Sequence, residues 1–445
     1  MRTTGASRPT PGVTRRANGL AWWLASSIIA AASITFATPP PFQGAHHLVQ
    51  LENPAIQYQK ATPRGPVAKL IDQINRGKAT LQFDQHFGYL PSLLKQLDVP
   101  VSSQMLVYSR TSLQVDHISP ETPRALYFND DVYVGFVQDP QAGTKIEIAS
   151  ADPVHGAVFY TLDQRPQPHP RPARQDSCLQ CHASGQSMGV PGHLARSHLI
   201  DQRGDPVTFT GDSSVDHRTP MAQRWGGWYL TGDLHGQTHL GNRPWPADDP
   251  PPTAQDTSSL PNLDRFLDTS RYLSPHSDVV ALMVYEHQRQ MHNFITRLNF
   301  QARIQLRRYG HIHYLHEPIE AFLRYLLFVD EAPLAAPVTG TSSFQQEFEQ
   351  RGPTDSKGRS LRQFNLHTRL FKYPCSYLIY SDAFDQLPEP LLDHIYQRLF
   401  AILSGEDRSP PWDSITRRHR KAILEILLET KPNLPQYWRK PERGS

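Results

Sequence analysis

The pattern of hydrophobic and polar residues divides the chain into two parts of different character. Between residues 104 and 163, apolar residues come in short runs separated by turn residues, and the runs 126–128 and 132–137 flank an Asn-Asp-Asp turn. This pattern predicts a β-hairpin, with further strands at 145–148 and 157–162. We therefore expect this part of the chain to be rich in β-structure.

The C-terminal part has the spacing of helices. Apolar residues recur three and four positions apart along 279–306, which predicts one long helix with an apolar face. Ser277 is a suitable N-cap for a helix that begins at Asp278, and Gly310 follows a basic last turn, where it can end the helix. Three more helices are predicted, at 317–329, 391–403 and 415–428.

The two parts are separated by a stretch with the composition of a linker. Residues 243–261 are rich in Pro, Asp and Ser, and residues 38–65 form a loose, Pro-containing lead. The expected fold class is therefore α+β, with a β-rich part at 66–242 followed by an α-helical part at 262–445. Within the first part, residues 183–242 are rich in Gly, His and Trp without sustained periodicity, as in a segment that wraps around something.

The N-terminus has the form of an export signal. Four arginines and no acidic residue precede residue 38, and the uncharged apolar stretch 19–37 ends in the small-x-small sequence Thr35-Phe36-Ala37. This predicts a signal peptide at 1–37 and a periplasmic protein. The alternative is an uncleaved segment that anchors the chain in the membrane.

The charge balance narrows the choice of partners. Without the four N-terminal arginines, 41 of the 45 basic residues remain against 42 acidic ones, so the mature chain is close to neutral. A nearly neutral chain has no basic stripe to hold a phosphate backbone, and we exclude nucleic acid as a partner.

The chemistry of the chain is concentrated in one short motif. Two of the three cysteines lie in the sequence Cys178-Leu179-Gln180-Cys181-His182. Two thiols at this spacing can each add to one haem vinyl group, and the histidine that follows offers an imidazole nitrogen to the iron. The motif therefore predicts one covalently attached haem c. Cys375 lies apart in an apolar run, where a buried, inert thiol is expected.

Two other chemistries use the same residue types. A thioredoxin-like redox pair needs a strand before the motif and a helix after it, whereas here the Pro-rich segment 164–177 precedes it. A zinc site needs a third or fourth ligand, and no second C-x-x-C or H-x-x-x-H cluster lies nearby. Both are kept as alternatives to haem.

The second axial position of the iron decides the class of function. Two strong ligands favour electron transfer, whereas an open position favours catalysis or gas binding. Met188 lies only six residues beyond His182, which is a short loop to swing around the haem edge. Four other methionines remain as candidates, Met105, Met221, Met283 and Met291.

The segment 217–242 has the composition expected around a flat cofactor with propionate groups. Its glycines allow close approach of the backbone, tryptophans can pack on a porphyrin face, and arginine can pair with a propionate. We expect this segment to build the distal face, with His235 or His239 as the iron ligand and His217 as a third candidate. The other residues expected to contact the haem are Arg224, Trp225 and Trp228.

A rival for the distal face lies on the predicted helix 279–306. His287 and Met291 share one face of that helix, and His292 lies about 140° round from His287. A methionine stripe at helical spacing is also typical of an ordinary hydrophobic core, so both interpretations stay open.

Several long strings in the chain resemble a family of exported bacterial mono-haem proteins, usually called cytochrome c domain-containing proteins. They cover most of the mature chain: LYFNDDVYVGFVQ (126–138), AVFYTLDQ (157–164), CLQCH (178–182), GVPGHLARS (189–197), RWGGWYLTGDLHGQTHLGN (224–242), EHQRQMHNFITRLN (286–299) and LFKYPCSYLIYSDAFDQLP (370–388). The resemblance implies haem attachment at Cys178, Cys181 and His182. It also implies that the β-rich and helical parts work together, and it names no substrate.

The function expected from these observations is periplasmic electron transfer by a covalent mono-haem cytochrome. Its partner would be a redox protein or a small-molecule electron donor or acceptor, with a membrane involved only if the N-terminal segment stays uncleaved. The alternatives are a peroxidase-like or small-molecule oxidoreductase with an open sixth iron position and a haem-based sensor.

Overall fold

The computed structural model describes residues 49–139, 143–207, 214–242 and 260–439. These residues belong to one compact unit. The predicted signal peptide and nearly all of the predicted linker lie outside the described residues. Within them, no helix is both long enough and apolar enough to cross a membrane.

The described residues contain one seven-stranded sheet in which every paired strand is antiparallel to its neighbour. Its order is β6-β5-β4-β3-β2-β1-β7. The strands are β1 (Met105–Val107), β2 (Arg124–Phe128), β3 (Val132–Phe136), β4 (Lys145–Asp152), β5 (Gly156–Asp163), β6 (Ala173–Arg174) and β7 (Trp228–Tyr229). The predicted hairpin is confirmed as β2–β3, and the Asn129 side chain holds its turn by accepting from the backbone N–H groups of Asp131 and Val132.

Helices occupy both ends of the described chain. They are α1 (Pro66–Asn75), α2 (Leu90–Gln96), α3 (Leu179–His182), α4 (Val279–Tyr309), α5 (His316–Leu326), α6 (Phe344–Gln350), α7 (Asp382–Asp385), α8 (Glu389–Ser404) and α9 (Arg417–Thr430). The four helices expected in the C-terminal part are confirmed as α4, α5, α8 and α9, and the mixed α+β class is confirmed. The short helices α1 and α2 were not predicted.

The start of α4 differs from the prediction. The N-cap is Asp278, whose carboxylate accepts from the backbone N–H groups of Val280 and Ala281, and the helix begins at Val279. Ser277 is not the cap because its hydroxyl joins two strands: it accepts from the Leu106 N–H and donates to the Tyr229 carbonyl. The predicted end is confirmed, since Gly310 follows Tyr309 in the left-handed conformation that suits a helix C-terminus.

The sheet separates two layers of hydrophobic packing because successive residues of a strand point to opposite faces. One face, which carries Tyr127, Val134 and Ile148, packs on α1 and α2. The opposite face carries Phe128 and Tyr133, which share a core with α4 and the helical C-terminal part. The β-rich and helical parts are therefore joined through a common core, in which α4 contacts β5 of the sheet as well as α5, α6 and α7.

Candidate functional site

The Cys-x-x-Cys-His motif lies where the loop after β6 meets the sheet. Cys178 ends a 3-10 turn and α3 carries the next four residues. Leu179 is buried in a small core with Phe159 of β5, which fixes the turn on the sheet. With Leu179 facing inwards, Cys181 is exposed and Cys178 only partly buried. Both thiols can therefore be reached from outside the core.

The motif lines an open pocket on the α4 side of the sheet. This motif pocket encloses about 1060 Å³ of empty space, counting the part that is open to solvent. Its floor consists of neighbouring residues on β2 to β5, which form two rows across the strands. One row is Leu126, Gly135, Glu147 and Thr161, and the next row is Tyr133, Ala149 and Phe159. The walls are the motif, the segment 193–194 with Tyr285 of α4, and residues 111–113.

His182 is held as an iron ligand would need to be held. Its Nδ1 lies 3.0 Å from the carbonyl oxygen of Gly192, and its ring packs on Phe159 with 4.7 Å between ring centroids. A hydrogen bond from Nδ1–H to a carbonyl fixes the tautomer and leaves Nε2 with its lone pair. Burial lowers the pKa of His182 to about 4, against the opposing effect of the Gly192 carbonyl, so the ring is neutral near pH 7.

The two thiols of the motif differ in their surroundings. Burial, and next the nearby Glu147 carboxylate, raise the pKa of Cys178 to about 11. Cys178 is therefore a thiol rather than a thiolate near pH 7, unlike the activated cysteine of a thiol–disulfide oxidoreductase. The third cysteine, Cys375, is fully buried and its pKa is raised by burial, as expected for an inert core thiol.

His193 is a second imidazole in the motif pocket. It is 4% exposed, and its ring packs on Tyr133 with 4.2 Å between centroids. Asn293 of α4 fixes its backbone, accepting from the His193 N–H and donating to its carbonyl. No described residue hydrogen-bonds to either ring nitrogen, and Nε2 is buried. An unsatisfied buried polar atom of this kind costs about 1–3 kcal/mol.

The charged groups of the motif pocket are Arg124 and Glu147. Nη1 of Arg124 pairs with the Glu147 carboxylate, which also accepts from the Ser112 hydroxyl at 3.0 Å. Nε of Arg124 is buried and has no hydrogen-bond partner among the described residues. Of the charged groups that act on His182, Arg124 has the largest effect, and it lowers the pKa of the ring. The motif therefore has a guanidinium group in its immediate electrostatic environment.

The structure places the residues expected on the distal face elsewhere. His235 is exposed, with Nδ1 3.1 Å from the Pro337 carbonyl oxygen, and His239 is buried beside the Trp225 ring. Trp228 donates to the Arg196 carbonyl, and Arg224 forms a buried ion pair with Glu286. The described lining of the motif pocket contains Cys178, Cys181 and His182 of the predicted site, and not His235, His239, Arg224, Trp225 or Trp228.

The candidates His287 and Met291 on the rival helix, and His217, also lie away from the motif pocket, although Tyr285 of the same helix is part of its wall. Nδ1 of His217 is 2.8 Å from Nδ1 of His287, and Nε2 of His287 is 2.8 Å from the Ser376 hydroxyl. Both rings stack on Phe328 in the helical part of the core. Met291 is fully buried in the same core. The methionine stripe of α4 is therefore a packing surface here.

Sequence reasoning missed the residues of the pocket other than the motif. His193 belongs to the string 189–197 and is only 11 residues beyond His182. As a single histidine it is a weaker signal than the group of histidines at 217–239. A signal for the other two did exist. Glu147 lies within the predicted strand 145–148 and Arg124 two residues before the predicted run 126–128, and a charged residue at such a position indicates either a partner or a ligand.

No group of three or more His, Cys, Asp or Glu residues in the described part of the chain is arranged to hold a metal ion by itself.

No family model, no curated protein and no solved structure matches this chain.

Proposed function

We propose that this chain is an exported c-type cytochrome with one haem in the motif pocket, attached through Cys178 and Cys181 and ligated by His182. The observation that carries the proposal is the hydrogen bond between His182 Nδ1 and the Gly192 carbonyl beside two accessible thiols. Iron-bound histidines almost always donate their other ring N–H in this way. A flat cofactor also suits a pocket that is open to solvent and has the small residues Gly135 and Ala149 in its floor.

The activity we propose is electron transfer in the periplasm. A bound haem would supply a one-electron redox couple. The chain's own residues would set its potential: the Gly192 carbonyl strengthens His182 as a donor, the apolar floor lowers the local dielectric, and the Arg124–Glu147 pair adds fixed charges. The electron donor or acceptor would be a redox protein or a small molecule that approaches the open side of the pocket.

A second candidate function, a haem enzyme or sensor with an open sixth iron position, is favoured by one observation. His182 and His193 are the two histidines among the described lining residues, which include no methionine. His193 directly follows Gly192, and consecutive Cα atoms are only about 3.8 Å apart. His193 therefore enters the pocket from the segment that already holds His182, and the described lining offers no second strong iron ligand from another element.

Covalent attachment is tested by mass spectrometry of the chain produced in a host that assembles c-type haem. We expect the wild-type protein to gain the mass of one haem, which acid-acetone extraction does not remove. Cys178→Ala with Cys181→Ala should lose this mass. Cys375→Ala, which removes the remaining thiol from a buried position, is the matched control and should keep it. A wild-type chain without covalent haem would reject the proposal.

The choice between the two functions is tested by absorption spectra of the oxidised and reduced protein with and without carbon monoxide. A six-coordinate low-spin spectrum that carbon monoxide does not change supports electron transfer. Rapid binding of carbon monoxide by the reduced protein supports an open sixth position. The variant His193→Ala tests whether His193 is itself the second iron ligand. If His193 were the second ligand despite its position, this variant alone would convert a low-spin spectrum to a high-spin one.

A further inference from the structure

Two side chains of the motif pocket have buried nitrogen atoms without hydrogen-bond partners among the described residues. Neither ring nitrogen of His193 has a hydrogen-bond partner among the described residues, although the residue is 4% exposed. Arg124 uses one Nη for Glu147 and leaves its buried Nε unpaired. Buried polar groups in folded proteins are nearly always hydrogen-bonded, so a pair of exceptions in one pocket calls for an explanation.

Other buried histidines of this chain show the usual pattern. His155 contacts the Asp152 carboxylate and the Ala61 carbonyl, and His292 contacts the Asp130 carbonyl at 2.7 Å. His287 contacts His217 and Ser376. Nε2 of His217 is also buried without a partner among the described residues, but it lies within the packed core. His193 differs from these four rings because it borders an open pocket.

We propose that Arg124 and His193 form a subsite for an anionic oxygen group of the pocket's occupant, with a haem propionate as the expected group. This inference rests on the proposed function for the identity of the occupant. The chemistry follows from the residue types: a guanidinium and a neutral imidazole both donate N–H bonds, and charge-assisted bonds to carboxylates are the strong ones. Arg124 retains donors beyond the one given to Glu147, since a guanidinium has five N–H groups.

The position of the subsite agrees with such a role. His193 directly follows Gly192, whose carbonyl contacts the His182 ring, so its imidazole enters the pocket beside His182. Arg124 belongs to β2 and lines the floor of the same pocket. The two side chains thus approach the occupant from a wall and from the floor, on elements fixed by Asn293 and by the sheet.

The test uses the haem-loaded full chain and two kinds of variant. Arg124→Gln removes the guanidinium and its charge, and His193→Leu removes the imidazole donor. Arg124→Lys keeps the charge, and Arg165→Gln removes an exposed arginine that pairs with Asp163. Mass spectrometry first establishes that each variant retains its haem. Resonance Raman spectra then report the propionate bending band. We expect Arg124→Gln and His193→Leu to shift this band and Arg165→Gln to leave it unchanged. Arg124→Gln should also lower the midpoint potential, and Arg124→Lys should largely restore it.

A second arm distinguishes a haem propionate from a separate small anion. Sodium formate is titrated by calorimetry at constant ionic strength, with chloride as the control. If the subsite takes a free anion, the wild-type chain binds formate, and Arg124→Gln weakens binding by at least about tenfold because a charge-assisted hydrogen bond is lost. An unshifted Raman band together with no difference in formate binding overturns the inference. Calorimetry needs no haem, so this arm still decides the matter if covalent haem is absent and the proposed function fails.

Discussion

Two groups of polar residues lie beside helix α4, and they differ in that one borders an open pocket and the other is enclosed in the core. The motif pocket contains His182, His193 and Arg124, and its polar atoms are only partly paired. The second group, here called the Arg224 cluster, consists of Asp216, His217, Arg224, Glu286 and His287. Each of these five side chains has a protein partner, and the cluster is buried between the 216–224 segment and α4.

The comparison shows that a high local density of His, Arg and Trp does not by itself mark a cofactor site. In the Arg224 cluster these residues hold a Gly-rich segment against α4, and their hydrogen bonds and ion pairs are internal. In the motif pocket the polar residues are sparse and come from distant parts of the chain, but they border an open space. Access to an open space separates the two cases. Buried atoms without a partner among the described residues occur in both groups, at Nε2 of His193 and Nε of Arg124 in the motif pocket and at Nε2 of His217 and Oε1 of Glu286 in the Arg224 cluster.

The largest effect is expected from removing the axial imidazole of the motif pocket. In haem-loaded protein, His182→Gly should abolish the native Soret and charge-transfer bands, because the iron loses its proximal ligand. Added imidazole should restore them by occupying the space of the missing ring. His235→Gly is the matched control and should show neither change. An unchanged spectrum in His182→Gly would mean that the iron ligands lie elsewhere, for instance in the 217–242 segment.

The next largest effect is expected in the Arg224 cluster, where Arg224→Ala would leave Glu286 buried without its partner at 3.0 Å. Breaking a buried ion pair in this way costs about 3–5 kcal/mol. Denaturant unfolding should show the loss, while the variant keeps its covalent haem. Arg203→Ala, at an exposed pair with Asp201, is the control and should change stability little. A stable Arg224→Ala protein with an altered haem spectrum would instead support the propionate role expected from sequence.

The Arg224 cluster should also make the fold sensitive to acid. Burial lowers the pKa of His287 to about 3, outweighing the opposing effect of Asp216, so the folded protein holds this ring neutral. Because the unfolded chain takes up the proton near the ordinary pKa of about 6.5, the stabilising contribution is complete above that pH and is lost as pH falls towards 3.

The slope attributable to His287 should approach about 1.4 kcal/mol per pH unit between pH 6 and 4. Urea unfolding of the wild type and of His287→Gln across that range measures it. The variant should be less stable at pH 7, where it loses its contacts to His217 and Ser376, and should show a shallower decline on acidification. Parallel declines would place the acid sensitivity in other buried groups.

The smallest effects are expected at the two histidines that the sequence suggested as distal iron ligands. His235 is exposed, so His235→Ala should change stability by no more than about 0.5 kcal/mol and leave the haem spectrum unaltered. His239→Ala should likewise leave the iron coordination unchanged, although this residue is buried beside Trp225. A shift from low to high spin in either variant would restore the 217–242 segment as the distal face and reverse the comparison between the two regions.

The sequence by itself determined the features that depend on neighbours along the chain. Two apolar runs that flank an Asn-Asp-Asp turn are enough to predict β2–β3, and helical spacing predicts α4. The spacing of Cys178, Cys181 and His182 predicts one chemistry. Even here tertiary contacts intervene. Ser277 has the residue type of an N-cap, but its hydroxyl is used between β1 and β7, and the adjacent Asp278 caps α4 instead.

Only the tertiary structure decided which residues surround the motif. Arg124 and Glu147 reach the pocket through the register of β2 to β5, and His193 reaches it because Asn293, a hundred residues away, fixes its backbone. Register and long-range packing depend on the free energy of the whole core and not on any local pattern. For the same reason the histidines at 217–239, suggestive as a string, lie in the structure either at the surface or within other packing.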